Sequence, residues 1–200
     1  MGRVSLIVFL ILAAVDWVAV WRGERRVEFL AKPGALAALI VYALSAGHPS
    51  PWLILALIFS LAGDVLLMLP ADLFLAGLAS FLVAHLAYVA CFAAPARTLA
   101  IWWLTLIAIC SPLASRILRS ADGPRVRAGV AAYMLVLALM VASAFASRSG
   151  VAALGAVLFL VSDSVIAWNR FVKPVALAQP LIMVTYHLGQ LGLVAALRGG

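Results

Sequence analysis

Charge is what this chain has least of. Charged side chains make up 10% of its 200 residues, against roughly 25% in a soluble domain, and the mean hydropathy is +1.20. A water-soluble globular fold is excluded, and an all-α, polytopic membrane bundle is expected in its place. Cysteine is nearly absent too. Cys91 and Cys110 lie in apolar runs without a C-x-x-C partner, so they read as small packing residues rather than as a metal or redox pair. A cleavage site is also missing: the first apolar run, Val4 to Trp21, meets no small-x-small motif before Asp16 and Trp17, so it is expected to stay as a first span. The net charge of +7 comes from arginines in short gaps between apolar runs, which suits helix orientation and leaves no nucleic-acid partner expected.

On the ruler of about 20 apolar residues per crossing, eight spans are expected at roughly 4–21, 31–47, 51–69, 73–93, 98–115, 127–147, 150–168 and 175–197. Short loops make neighbouring helices antiparallel. Lys32-Pro33 and Lys173-Pro174 are each expected to open a span, as proline suits a first helical turn, and Ser111-Pro112 to interrupt the fifth. Ten Lys and Arg residues fall on one face (Arg22, Arg25, Arg26, Lys32, Arg116, Arg119, Arg125, Arg127, Arg170, Lys173) and four on the other. The richer face is assigned to the cytoplasm, with both termini outside.

Two carboxylates stand out inside the apolar runs, Asp64 after Gly63 and Asp163 after Ser162. A charge at that depth costs at least ~2.5 kcal/mol, so each needs an explanation. They fall in the third span of each half, 99 residues apart, which suggests one membrane domain built as two parallel repeats, about 1–97 and 98–200. Each aspartate is then about five residues, or ~8 Å, from the cytoplasmic end of its span. His85 and His187 echo each other in the fourth spans, and the halves are expected to face each other across a polar pocket.

Simpler readings stand beside this one. Phe81, His85 and Tyr88 share a helix face, and a histidine there is often a satisfied interior group. Tyr186, His187 and Gln190 form a second polar face that would also serve as interhelical hydrogen-bonding glue. Lys32, Asn169, Arg170 and Lys173 sit at the cytoplasmic boundary, where snorkelling is the default. Asp16, placed near the outer end of the first span, and His48, in an outer loop, carry little signal. The tryptophans, Trp17 among them, look like an interfacial belt.

Taken in order, Lys32-Pro33, Gly63-Asp64 with Val-Leu-Leu-Met behind it, Gly77 with Phe81, His85 and Tyr88, Ser162-Asp163 leading to Asn169-Arg170-Phe171, and Thr185-Tyr186 with Gln190 resemble the YhhN-like membrane proteins that include the animal lysoplasmalogenases. The resemblance covers nearly the whole chain. It implies an eight-spanning integral protein of a bacterial-type plasma membrane that hydrolyses the vinyl ether bond of a lysophospholipid, releasing fatty aldehyde. It also implies Asp64 and Asp163 as the catalytic pair.

That chemistry suits the residues. A vinyl ether resists nucleophiles until its β-carbon is protonated, and the resulting oxocarbenium ion is captured by water; one carboxyl must donate a proton and another must stabilise the cation. His85, Tyr88, Tyr186 and Gln190 are expected to line the pocket, with Lys32, Arg170 and Lys173 at the lipid phosphate, and Asn169 and His187 are counted among the substrate-binding residues. Asp64, His85, Asp163 and His187 offer oxygen and nitrogen ligands to zinc, but they lack the local i, i+4 histidine pair of H-E-x-x-H sites. No metal and no cofactor are expected, and activity should survive chelation. The expected partners are the lysophospholipid and membrane lipid. A proton-coupled carrier built on the same aspartates is the alternative, and a purely structural membrane protein would tolerate asparagine at both.

Overall fold

The computed structural model describes residues 2–92 and 94–199; Ala93, the expected end of the fourth span, lies outside them, as do the first and last residues of the chain. The described residues form eight helices: α1 (Gly2–Arg22), α2 (Arg25–Leu44), α3 (Pro51–Met68), α4 (Phe74–Cys91), α5 (Ala96–Ser120), α6 (Pro124–Ala146), α7 (Gly150–Phe171) and α8 (Ala178–Leu197). Each is long and apolar enough to cross a bilayer. A helix satisfies its own backbone in lipid, which is why apolar runs of this length take that form. The protein is a multi-pass integral membrane protein.

Several boundaries differ from expectation. Pro51 and Pro124 open α3 and α6, at the position where the missing N–H costs nothing. Lys32-Pro33 does not open a span: α2 begins at Arg25 and runs on through Pro33. The chain turns back after α1 at Gly23, whose φ of +72° suits a residue without Cβ. Lys173-Pro174 likewise lies in the loop ahead of α8. Nor does Ser111-Pro112 break α5, which continues to Ser120. Because α7 continues to Phe171 while α3 stops at Met68, Asp163 lies eight residues from its helix end and Asp64 four, a difference of ~6 Å in place of a shared level.

Each helix packs most closely on its hairpin neighbour, α1 on α2, α3 on α4, α5 on α6 and α7 on α8. The halves meet mainly through α4 against α6 and α1 against α8, whereas α2 scarcely touches α8, so the two halves do not meet symmetrically. The common core contains Phe9, Leu36, Leu57, Tyr88, Met140 and Phe159. By contrast α5 buries only Ile117 and stands at the rim of the bundle.

The α7–α8 hairpin is the tightest joint. A Cβ on Gly155 would come 2.8 Å from the Leu193 nitrogen and 2.9 Å from the Gly192 carbonyl carbon, which is backbone that cannot swing aside. Small residues at such crossings let membrane helices approach closely enough to gain dispersion energy. Gly155→Val is therefore expected to destabilise the fold by at least ~1–3 kcal/mol. Gly150→Ala, where the added Cβ meets nothing within 4 Å, serves as the neutral control in thermal unfolding in detergent.

Candidate active site

Asp64 is buried in α3, and both of its oxygens accept. Lys32 Nζ from α2 lies 2.9 Å from Oδ1, and the Tyr186 hydroxyl from α8 donates to Oδ2 at 2.6 Å. The Lys32 ammonium at Oδ1 supplies the counter-charge for an ionised Asp64. Gly63 makes room for this arrangement, because a Cβ there would meet the Phe81 ring at 2.6 Å. Phe81 in turn stands edge-on to Tyr186, with centroids 6.0 Å apart, and holds the phenol in place.

Asp163 has different neighbours. Its Oδ2 accepts a short bond from the Tyr133 hydroxyl of α6, and Tyr133 is also 3.0 Å from His85 Nε2 of α4. With the phenol proton committed to Asp163, the histidine donates to the phenol oxygen, so His85 and Tyr133 form a chain that ends on the carboxyl. The same ring nitrogen is 3.5 Å from Asp163 Oδ2. Among the described residues nothing bonds Oδ1. The Asp163 side chain is 10% exposed, against 2% for Asp64, so it is the more accessible of the two.

Both aspartates line one cavity together with Lys32, Tyr133, Ser162 and Tyr186. Most of its remaining wall is apolar, including Leu106, Leu113 and Ile117 of α5 and Leu160 of α7. Since α5 packs along α6 and only slightly on α7, that wall lies on the lipid side of the bundle. Carboxyls at one end and hydrocarbon along the length suit a chain-bearing substrate.

The expected site residues divide into groups. Asp64, Asp163 and Tyr186 meet at the cavity. Lys32 meets them there too, contrary to its expected place at the boundary; α2 begins a full two turns before it, so the ammonium is carried inward and pairs with Asp64. His85 is fully buried behind Tyr133 rather than lining the pocket. Tyr88 and Gln190 lie behind as well: Tyr88 donates to Gln190 Oε1, and Gln190 Nε2 reaches the Tyr186 oxygen at 3.4 Å, so they orient the phenol that holds Asp64. His187 turns away to accept the Trp17 indole N–H at 3.0 Å, which also takes Trp17 out of the interfacial belt. Asn169 accepts the Val175 N–H at 2.9 Å and ties the α7–α8 loop. Arg170 is exposed, 3.1 Å from both Asp72 oxygens and 4.0 Å above the Phe74 ring, while Lys173 is exposed in the loop.

Asp16 needs correction. It stands six residues before Arg22 in α1, at the end of the bundle where α2 begins and so opposite to the outer end expected, and it is fully buried. Tyr133 escaped sequence reasoning, although a lone phenol in an apolar run requires a partner, and Ser162 entered it only as the residue before Asp163. Among the described residues no three His, Cys, Asp or Glu side chains converge closely enough to hold a metal ion.

The chain is similar to several known proteins. Lysoplasmalogenase TMEM86B of Homo sapiens is 38% identical over 136 residues, 68% of this chain and 58% of that protein. The chain thus spans less than two thirds of the length of the human relative it matches. The Mus musculus protein of the same name is 35% identical over 176 residues, 86% of this chain and 76% of that protein. A lysoplasmalogenase of Mycobacterium bovis is 32% identical over 157 residues, 72% of this chain and 59% of that protein. No solved structure matches the chain. The model of the YhhN family matches residues 27–197, which takes in nearly all of α2 and every later helix, and with them all six polar residues named at the cavity: the chain belongs to the YhhN family.

Proposed function

We propose that the protein is a membrane-embedded hydrolase that cleaves the vinyl ether bond of a lysoplasmalogen-type lysophospholipid. The observation that carries this reading is the pair of aspartates in unlike settings on one largely apolar cavity. The relatives' names support the substrate class, and they weigh against the carrier alternative.

Asp163 enters the cycle protonated and passes its proton to the vinyl β-carbon as the C=C electron pair forms the new C–H bond, leaving an oxocarbenium ion. The Asp64 carboxylate, held ionised by Lys32 and Tyr186, stabilises that cation. Water adds its oxygen to the cationic carbon and returns a proton to Asp163. The hemiacetal then breaks its bond to the glycerol oxygen, its hydroxyl proton ends on that oxygen, and both carboxyls are left as they began. The products are a fatty aldehyde and a glycerophospho-base. Tyr133 and His85 are positioning residues that orient Asp163; Tyr88 and Gln190 do the same for Asp64 through Tyr186.

The richer cationic face is assigned to the cytoplasm, with both termini outside. A lysolipid from that leaflet places its phosphate near Arg170 and Lys173, its ether at the aspartates and its chain along α5 and α7. Purified protein in detergent is expected to release long-chain aldehyde from an alkenyl-lysophospholipid; a folded preparation that releases none overturns the assignment. In the same assay Arg170→Gln is expected to raise KM roughly 10- to 150-fold with kcat little changed, the loss of one charge-assisted contact held equally in ground and transition states. Unchanged KM removes Arg170 from the phosphate site.

A further inference from the structure

Outside the lining of the lipid cavity, several polar atoms are fully buried without a hydrogen-bond partner among the described residues: both Asp16 oxygens, Ser60 Oγ and His187 Nε2. Such atoms are rare in folded proteins, and buried water is the usual explanation. Their chemistry is complementary. Because His187 Nδ1 accepts from Trp17, its Nε2 carries the hydrogen and is a donor, while Asp16 offers two acceptors. Ser60 stands one turn before Asp64 on the same helix, and Trp17 is the residue after Asp16.

The elements packed on α1 are α2 and α8, and the charged or titratable groups acting on Asp16 from them and from α3 are Lys32, Glu28 and Asp64; Lys32 also acts on His187. Asp16, Ser60 and His187 thus lie on α1, α3 and α8, the helices that contact α2, which carries Lys32 opposite Asp64. A second, separate cavity lies at the end of the bundle where α1 terminates, lined by Val20, Trp21, Asn169 and Gln179. Val20 is one helical turn from Asp16, ~6 Å along the axis, so this cavity adjoins the turn of α1 that follows the buried carboxyl.

We propose that Asp16, Ser60 and His187 form a binding site for a short file of water molecules that joins the boundary cavity to Asp64 and supplies the water consumed in hydrolysis. The inference rests on the proposed hydrolase reading for the fate of that water, but not for its presence. Lipid and water then reach the aspartates from opposite sides, so a bound hydrocarbon chain does not block the second reactant. Asp16 lies outside the segment matched by the family model.

Radiolytic hydroxyl-radical labelling tests the water without any substrate, because radicals generated on bound water oxidise the side chains beside it. His187 is fully buried, yet it is expected to be labelled under conditions that label the exposed His48. Asp16→Leu, an apolar replacement for an unpaired buried polar group, is expected to keep or raise thermal stability, to suppress labelling of His187 several-fold and to lower kcat on the order of tenfold with KM little changed. Asp16→Asn still binds water and is expected to recover the labelling and all but a few-fold of the lost kcat. An unlabelled His187 in the unmodified protein overturns the water site. An asparagine variant as slow as the leucine variant also overturns the proposal, since Asp16 would then act by carrying a proton. Labelling that follows these expectations in a protein releasing no aldehyde overturns the hydrolase reading and leaves the water site standing.

Discussion

Asp163→Asn is expected to lower kcat for aldehyde release by about 10²- to 10⁴-fold, the usual worth of a positioned general acid, with KM nearly unchanged. Asparagine has the same shape, and its carbonyl oxygen still accepts the bond from Tyr133, so the cavity wall and the fold are kept. What it lacks is a proton to place on carbon. In the proposed binding mode lipid affinity arises along the apolar wall and at the boundary, away from this atom, which is why the loss should appear in kcat alone. Asp64→Asn should fall in the same direction but is the less clean variant, because it leaves the buried Lys32 ammonium without its partner at 2.9 Å. Turnover by Asp163→Asn within a few-fold of the unmodified protein, measured after confirming that it is folded and monodisperse, would remove Asp163 from the acid role.

The number and order of helices were legible in the sequence because a bilayer span depends mainly on hydropathy summed over a window, which does not require knowing what the helix touches. The same holds for the two aspartates, conspicuous in apolar runs whatever surrounds them. What a window cannot show is which faces meet. Asp64 and Tyr186 are 122 residues apart, and their bond depends on where the whole bundle sets α3 and α8. Lys32 was misplaced for a local reason: its proline neighbour suggested a helix start, whereas α2 had already made two turns and carried the lysine inward. Asp16 was discounted through an error of end, although a carboxyl so deep in the first apolar run deserved the question asked of Asp64. Tyr133 left a fainter signal still, as the only tyrosine in α6, set on the face of Val130, Leu137 and Val141, all buried.

The ion pair between Lys32 and Asp64 sets the last expectation, in which stability and activity separate. Lys32→Met is expected to destabilise the protein by about 3–5 kcal/mol, because a buried carboxylate that loses its counter-charge keeps the full cost of its desolvation. Turnover should fall with it, since Asp64 without the ammonium no longer presents a fixed negative charge to the oxocarbenium ion. The double variant Lys32→Met/Asp64→Leu removes both charges at once. Apolar replacement of a whole buried pair is commonly neutral or stabilising, so the double variant should regain most of the thermal stability lost by the single one while remaining inactive. A double-mutant cycle then yields a coupling free energy of about 0.5–3 kcal/mol or more between the two sites, with no matching recovery in kcat. The sequence-based placement of Lys32 at the lipid phosphate predicts the opposite pattern: a variant of near-normal stability whose KM rises and whose kcat holds. A stable Lys32→Met protein with only its KM raised would therefore show that the ammonium serves the lipid phosphate, and Asp64 would need another source for the charge state that the mechanism requires of it.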